Sequence, residues 1–222
     1  MEFTGERVVP EFMACDPLTY QEHLTRYVWA LSYCANKSVL DAAMGTGYGL
    51  DILSGVAKDI TGLDISREAI AYASAHYGYN GMLKNFWCVD FEKEHFSKVP
   101  WVENVDVITS FETIEHLADP SFFLYNVERA LRPGGRFLFS IPNRSFMPFH
   151  KKTYSQNDAQ KLIAKHFDQV AWYGQKYLTI GYDLENADFF LGVATKPLTS
   201  KVCLKQALSF PFVATQKSPA VA

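Results

Sequence analysis

An apolar run followed by three alternating glycines is the feature that most constrains how this sequence can fold. Residues 39–42 are predicted to form a strand, and Gly45, Gly47 and Gly49 separate it from a helical pattern. Glycine has no Cβ and adopts positive φ without strain, so such a loop can turn sharply and bring backbone amides close to a ligand. The G-x-G-x-G spacing differs from the G-x-G-x-x-G fingerprint of dinucleotide-binding folds, which argues against a nicotinamide cofactor.

Three apolar runs in the first half of the chain end in an aspartate. Asp41 lies at the end of the first run, Asp64 ends residues 60–64, and Asp90 ends residues 86–90. If these runs are parallel strands, the three carboxylates share the carboxyl edge of one sheet, where open α/β sheets bind ligands. One carboxylate can accept both hydroxyls of a ribose and another can accept an adenine amino group. The set therefore suits a nucleoside that lacks a pyrophosphate.

Four separated motifs occur in a fixed order: residues 41–49 (DAAMGTGYG), 63–66 (LDIS), 89–91 (VDF) and 131–135 (LRPGG). Through them, roughly residues 37–196 resemble the class I S-adenosylmethionine-dependent methyltransferases. The commonest loop of that family has glycine where this chain has Ala43. The resemblance implies S-adenosyl-L-methionine as cofactor and S-adenosyl-L-homocysteine as product.

The expected fold is an α/β, Rossmann-like, doubly wound sheet of seven mostly parallel strands, with an antiparallel last strand and helices on both faces. A chain of 222 residues is most simply one domain. We divide it into an N-terminal helical cap (1–36), the Rossmann-like core (37–196) and a basic, apolar C-terminal tail (197–222). Residues 169–173 and 189–195 are the predicted last two strands, and the connection over 174–188 is predicted to be a long loop.

Charge and cysteine content argue against several classes of protein. The net charge is −3 and no run of basic residues is interleaved with aromatics, so nucleic-acid binding is not expected. The four cysteines form no C-x-x-C pair, and neither a signal sequence nor an 18-residue apolar span is visible. We expect a soluble cytoplasmic protein. The tail, with four lysines and no acids from Lys196 onward, could pack on the domain or make a weak membrane or partner contact.

The segment before the first strand contains an amphipathic helix over residues 20–31, with a predicted apolar face at Leu24, Tyr27, Val28 and Leu31. This helix could serve only packing. Alternatively, it could fold over the cofactor and place His23 or Arg26 near the methionine carboxylate. Residues 3–11 and 22–27 look like the opening of bacterial-type methyltransferases associated with surface polysaccharide assembly, which suggests a sugar acceptor.

The predicted cofactor site consists of the strand ends and the glycine loop. Asp64 is expected to accept the ribose hydroxyls, Asp90 to meet the adenine amino group, and Gly45 to Gly47 to lie under the methionine end. The resemblance extends the site to Asp41, Ala43, Ile65, Phe91 and Phe111.

Methyl transfer to a hydroxyl requires an in-line acceptor oxygen and a group that receives its proton. Histidine is the most frequent base near neutral pH, and two of the six histidines, His116 and His150, follow the predicted fourth and fifth strands. We expect His116 to be the base and His150 to orient the acceptor, with Glu112 as the acidic alternative. His116 could instead only support its loop. No spaced set of metal ligands is visible, so no metal requirement is expected.

These expectations leave several functions open. The leading one is methylation of a sugar or glycan hydroxyl. The others are methylation of another small hydroxyl or amine acceptor, cofactor binding without turnover, and nicotinamide-dependent oxidoreduction.

Overall fold

The computed structural model describes residues 8–12, 16–78, 84–100, 102–143 and 147–198. Most of the predicted C-terminal tail, residues 199–222, and residues 3–7 of the N-terminal opening lie outside these ranges. Across the described ranges, no helix combines the length and the apolar character needed to cross a membrane.

One sheet of eight strands organises the described residues, with the spatial order β3-β2-β1-β4-β5-β8-β6-β7. The strands are β1 (Ser38–Ala42), β2 (Asp59–Asp64), β3 (Lys84–Cys88), β4 (Val105–Phe111), β5 (Leu131–Pro142), β6 (Gln169–Lys176), β7 (Thr179–Gly181) and β8 (Phe189–Thr195). The first five strands pair in parallel, and β8 is inserted antiparallel between β5 and β6. The mostly parallel sheet with an antiparallel last strand is therefore confirmed.

The predicted count of seven strands was wrong, because β7 adds an eighth. This strand pairs antiparallel with β6 through Gly174 to Lys176, inside the stretch predicted to be a long loop. Tyr177 forms the turn of this hairpin with a φ of 52°. Three residues at a sheet edge are too short to show the alternating pattern by which strands are recognised.

Within the described ranges, five α-helices cover the sheet: α1 (Pro17–Cys34), α2 (Tyr48–Ser54), α3 (Arg67–Tyr77), α4 (Pro120–Ala130) and α5 (Gln156–Ile163). Four of them begin with a side-chain N-cap that accepts a backbone N–H, at Asp16, Ser66, Asp119 and Ser155. Capping satisfies amides that have no partner within the helix, which explains why these helices begin where they do.

Neighbouring residues along a strand point to opposite faces, and the core is divided accordingly. Leu40 and Ile108 pack in a cluster with residues of α4 and α5. Their chain neighbours Val39 and Val107 pack in a second cluster with residues of α1, α2 and α3. Helices therefore lie on both faces, and the carboxyl ends of β1 to β5 meet at one edge.

The buried face of α1 differs from the predicted one. Val28, expected to be buried, is 58% exposed, whereas Glu22 and Arg26 are buried together with Tyr27, Ala30 and Cys34. An apolar pattern cannot predict a buried stripe that contains polar residues. Arg26 is buried because it has partners elsewhere in the fold, and these are described with the site below.

The glycine loop is shaped by contacts that leave no room for a Cβ. Gly47 has a φ of 87°, and a Cβ there would lie 2.8 Å from the Cβ of Ala73 on α3. A Cβ on Gly49 would lie 2.0 Å from the ring of Tyr27 on α1. Gly47 and Gly49 thus serve the close packing of α2 against its neighbouring helices.

We expect Gly49→Ala to lower the free energy of unfolding by about 1–3 kcal/mol, because the added methyl overpacks against the buried ring of Tyr27. Urea unfolding measures this change. Gly181→Ala is the matched control, because no atom lies within 4 Å of its added Cβ. Equal unfolding midpoints for the two variants would contradict the packing role of Gly49.

Candidate active site

A cavity of about 570 Å³ opens at the carboxyl edge of the sheet, within the size range of small-molecule sites. The ends of β1 to β5, helix α1 and residues 147–151 line it. Its lining includes eleven of the residues proposed from the sequence: His23, Ala43, Gly45, Asp64, Ile65, Asp90, Phe91, Phe111, Glu112, His116 and His150. Asp41, Gly47 and Arg26 are not part of the lining.

Asp64 connects the loops that follow β1 and β2. Its two carboxylate oxygens accept the backbone N–H groups of Gly45 at 2.9 Å and Ser66 at 2.8 Å. Gly45 has a φ of 57° and Ala43 a φ of 67°, so the loop uses left-handed conformations on both sides of Met44. A non-glycine residue in the left-handed φ region is strained. The methyltransferases that the sequence resembles more commonly have glycine at the position of Ala43, which relieves this strain. The loop is thus held against Asp64 at the cavity wall.

Asp41 is directed into the protein interior. Its carboxylate accepts hydrogen bonds from Thr109 Oγ1 at 2.7 Å and from Tyr27 Oη at 3.2 Å. Burial raises the pKa of this carboxyl from 3.8 to about 7, although both hydrogen bonds act in the opposite direction. Asp41 therefore joins α1 to β1 and β4.

The raised pKa of Asp41 predicts a pH-dependent stability. Between pH 5 and about 7 the folded state retains a proton that the unfolded state has lost, so stability falls as pH rises through this window. In wild type the free energy of unfolding should fall by roughly 2–3 kcal/mol over this window because of Asp41, and Asp41→Asn should abolish that contribution. Urea unfolding at pH 5 and pH 8 measures it, with the surface variant Glu185→Gln as control. Parallel pH profiles for wild type and Asp41→Asn would contradict it.

Asp90 and its neighbours form the β3 side of the cavity. The carboxylate of Asp90 accepts hydrogen bonds from Lys93 Nζ at 2.9 Å and from the backbone N–H of Glu92 at 3.0 Å. The hydrogen bond from Lys93 lowers its pKa, so the group stays ionised. Ile65, which is 58% exposed, and the buried Phe91 add apolar surface here. A carboxylate beside apolar side chains suits a heterocyclic base with an amino group.

Helix α1 contributes His23 to the cavity wall. Its Nδ1 lies 3.0 Å from Tyr48 Oη, at the start of α2. Burial, and secondarily the nearby charge of Arg26, lower the pKa of His23 well below 6.5. A neutral imidazole therefore faces the cavity at physiological pH and offers hydrogen bonding without charge.

Arg26 is fully buried behind the cavity wall. Its Nε donates to Gln175 Oε1 at 2.7 Å, its NH1 lies 3.7 Å from Glu112 Oε1, and its guanidinium lies 4.0 Å from the ring centre of Phe189. The sequence analysis missed Gln175, which is also fully buried and lies 149 positions from Arg26. Arg26 therefore supplies positive charge beside Glu112.

Glu112 occupies a strained position directly after β4. Its φ is 54°, in the left-handed region that non-glycine residues rarely adopt. Ser140 on β5 stabilises this conformation, because its Oγ accepts the backbone N–H of Glu112 at 3.0 Å and donates to Glu112 Oε1 at 2.9 Å. Strained residues concentrate at functional sites, and Glu112 lines the cavity.

His116 and His150 lie together at the β4 and β5 side of the cavity. Their ring centres are 5.0 Å apart with an interplanar angle of 86°. His116 Nδ1 lies 3.2 Å from the carbonyl oxygen of Phe149, and the backbone amides of Lys151 and Lys152 donate to the carbonyl oxygen of Glu115. The structure therefore brings together the two histidines that the sequence places 34 positions apart.

The sequence analysis did not single out Glu115. Its side chain is fully buried next to His116, and burial, together with the charge of Glu112, raises its pKa well above the usual range. Adjacency to His116 was the only signal that could have drawn attention to it.

Comparison with known proteins shows that the chain contains a methyltransferase domain. Residues 40–139 match Methyltransf_11, described as a methyltransferase domain. A probable S-adenosylmethionine-dependent methyltransferase of Mycolicibacterium smegmatis is 32% identical over 173 residues, which are 73% of this chain and 63% of that protein. The ubiquinone biosynthesis O-methyltransferase of Hydrogenovibrio crunogenus is 25% identical over 130 residues, which are 59% of this chain and 53% of that protein. The chain thus spans 53% to 63% of the length of these two curated relatives.

A solved structure agrees with the sheet described above. The methyltransferase in a Haloferax volcanii complex with the Trm112 methyltransferase activator has a TM-score of 0.64 and 20% identity, covering 83% of this chain and 96% of that chain. At this identity the likeness concerns the fold alone. Family match, curated relatives and fold lead to one conclusion: residues 40–139 form a methyltransferase domain of the class I S-adenosylmethionine-dependent kind, whose cofactor is S-adenosyl-L-methionine.

Proposed function

We propose that this chain transfers a methyl group from S-adenosylmethionine to the hydroxyl of a small acceptor, and that the acceptor is a sugar or glycan. The observation that carries this proposal is the division of the cavity into two chemically different halves. Carboxylates suited to a nucleoside lie on the β1 to β3 side, whereas a pair of histidines lies on the β4 and β5 side. The first half suits a cofactor and the second an acceptor hydroxyl.

In the first half, four groups would hold the cofactor. Asp64, oriented by the amides of Gly45 and Ser66, is the group for the ribose hydroxyls, and Asp90 is the group for the adenine amino group. His23 and the glycine loop would contact the methionine end. When bound, S-adenosylmethionine supplies a sulfonium methyl group that an acceptor oxygen can attack, leaving neutral S-adenosylhomocysteine.

In the second half, the acceptor hydroxyl has to be positioned and its proton received. The hydrogen bond from His116 Nδ1 to the Phe149 carbonyl leaves the other ring nitrogen, Nε2, as the acceptor atom. In a metal-free reaction His116 is the base and His150 orients the hydroxyl. Glu112, fixed by Ser140 beside Arg26, is the alternative acid or base at this end.

Two observations support oxygen and sugar specificity. The name of the Hydrogenovibrio crunogenus relative assigns O-methyl transfer to that protein. Residues 3–11 and 22–27 are similar to the opening of methyltransferases of surface polysaccharide assembly. Methylation of another small hydroxyl or an amine, and cofactor binding without turnover, are the competing functions.

A panel of acceptors distinguishes these functions. The purified chain is incubated with S-adenosylmethionine and, separately, nucleotide sugars, glycan fragments, phenols and amines, and formation of S-adenosylhomocysteine is measured. We expect turnover with a sugar-containing acceptor. Turnover with phenols or amines alone would contradict sugar specificity, and tight cofactor binding without turnover on any acceptor would favour a binding domain.

A further inference from the structure

The Glu115 carboxylate has an unusual environment. It is fully buried, and neither side-chain oxygen has a hydrogen-bond partner among the residues the structure describes. The charged form of a buried carboxylate that lacks hydrogen bonds is unfavourable unless a cation or a metal ion balances it. Glu115 lies in the single helical turn Ile114–His116, next to a residue that lines the acceptor half of the cavity. A cation bound at these oxygens would therefore stabilise the charged carboxylate.

Two histidines place ring nitrogens next to this carboxylate. His116 Nε2 lies 3.9 Å from Glu115 Oε1, and one ligand atom from each of Glu115, His116 and His150 lies within 4.8 Å of the others. One point therefore lies within about 2.8 Å of all three ligand atoms. Zinc bonds to nitrogen and oxygen are roughly 2.0–2.2 Å long, so a zinc ion at this point would be about 0.7 Å too far from its ligands. Small side-chain rotations would close this difference.

The surroundings orient these groups as in a metal site. His116 Nδ1 donates to the carbonyl oxygen of Phe149 at 3.2 Å, so that Nε2, the nitrogen near Glu115, carries the lone pair. A metal-binding histidine almost always donates its other N–H to such an acceptor. The segment with His150 is fixed as well, because the amides of Lys151 and Lys152 donate to the backbone carbonyl of Glu115.

We propose that Glu115, His116 and His150 bind one divalent transition-metal ion, of the zinc class, at the acceptor end of the cavity. Two imidazoles and one carboxylate are the donor set of open zinc sites and suit zinc better than magnesium, which prefers oxygen ligands. Both histidines line the cavity, so the remaining coordination positions face the acceptor. This proposal replaces the expectation from the sequence that no metal takes part.

The role of the ion rests on the proposed function. Held by Glu115, His116 and His150, the ion would polarise the acceptor hydroxyl oxygen and favour release of its proton to solvent water. The oxygen keeps the O–H electron pair and forms the new bond to the methyl carbon, while the carbon–sulfur bond breaks and leaves its electron pair on the sulfur of S-adenosylhomocysteine. In this form of the reaction His116 is a metal ligand, and the metal takes over the activation that would otherwise require a base.

Zinc binding tests the site without cofactor or acceptor. The full chain is freed of metal with a chelator and titrated with Zn²⁺ in a calorimeter and in competition with a chromophoric chelator. We expect one zinc per chain. Glu115→Gln and His150→Ala should each weaken zinc affinity at least about tenfold, because even residues that only orient a ligand change affinity by roughly 10–100-fold.

His76→Ala is the matched control, because His76 Nε2 also lies 3.9 Å from a carboxylate oxygen, that of Glu11, but among the described residues no second histidine completes a site there. Its zinc affinity should equal that of wild type. Circular dichroism and affinity for S-adenosylhomocysteine check that each variant is folded. Absence of saturable zinc binding, or equal affinity in wild type and His150→Ala, would overturn the site. Undiminished methyl transfer by the metal-free chain would overturn its role, whereas zinc binding without methyl transfer would overturn only the proposed function.

Discussion

Replacement of His116 by alanine should slow methyl transfer by roughly 10²–10⁴-fold, the usual contribution of a group that activates an acceptor by proton transfer. The rate of methyl transfer is expected to fall both if His116 receives the proton and if it binds a metal that promotes release of the proton. In both cases Nε2 acts at the acceptor end, where Phe149 fixes the ring. Binding of S-adenosylmethionine should change little, because the carboxylates of the cofactor half are untouched.

Single-turnover methylation with a saturating acceptor measures this rate, and calorimetry measures the cofactor affinity of the same variant. His76→Ala serves as the control, because His76 lies on α3 and is not part of the cavity lining. A wild-type rate in His116→Ala would remove His116 from the reaction. His116 would then only support the loop around Phe149.

Replacement of Asp64 by alanine should weaken binding of S-adenosylmethionine roughly five- to a hundredfold. Loss of one partner from a hydrogen-bonded polar pair typically costs about 1–3 kcal/mol. Asp64 accepts the amides of Gly45 and Ser66, so the variant also loosens the two loops that form the cavity wall. Both effects act in the same direction on cofactor affinity.

Ser66→Ala controls for loosening of the chain after β2, at the start of α3. It removes the side-chain cap that accepts the Ala69 N–H but keeps the Asp64 carboxylate at the cavity. We expect this control to lose about 1 kcal/mol of stability and to retain most of its cofactor affinity. If Asp64→Ala binds S-adenosylmethionine as tightly as wild type does, Asp64 neither holds the ribose nor orders the loops for cofactor binding.

The sequence predicted most of the fold because local chemistry determines it. Caps at Ser66, Asp119 and Ser155 begin three helices, and each lies in a short polar pattern typical of a helix start. Strand-end residues such as Asp64 and Asp90 could be placed at one edge because parallel strands share their direction. The cavity forms at that edge, and most of the proposed site residues line it.

Contacts between buried polar groups that lie far apart in the sequence could not be predicted from it. Arg26 is buried because Gln175, 149 positions later, and Glu112 accompany it, and no local pattern connects these residues. The inward direction of Asp41 depends in the same way on Tyr27 and Thr109. Glu115 resembles an ordinary loop acid until folding brings its carboxylate within 4.8 Å of ring nitrogens of His116 and His150.

Methyl transfer from labelled S-adenosylmethionine tests the central claim most directly. The chain is incubated with cofactor carrying a labelled methyl group and with a pool of small hydroxylated metabolites, and mass spectrometry locates the label. The account predicts label bound to an oxygen of a small acceptor, at a rate at least about a hundredfold lower in His116→Ala. Label bound only to nitrogen or carbon, or cofactor that binds and stays unconverted, would contradict it.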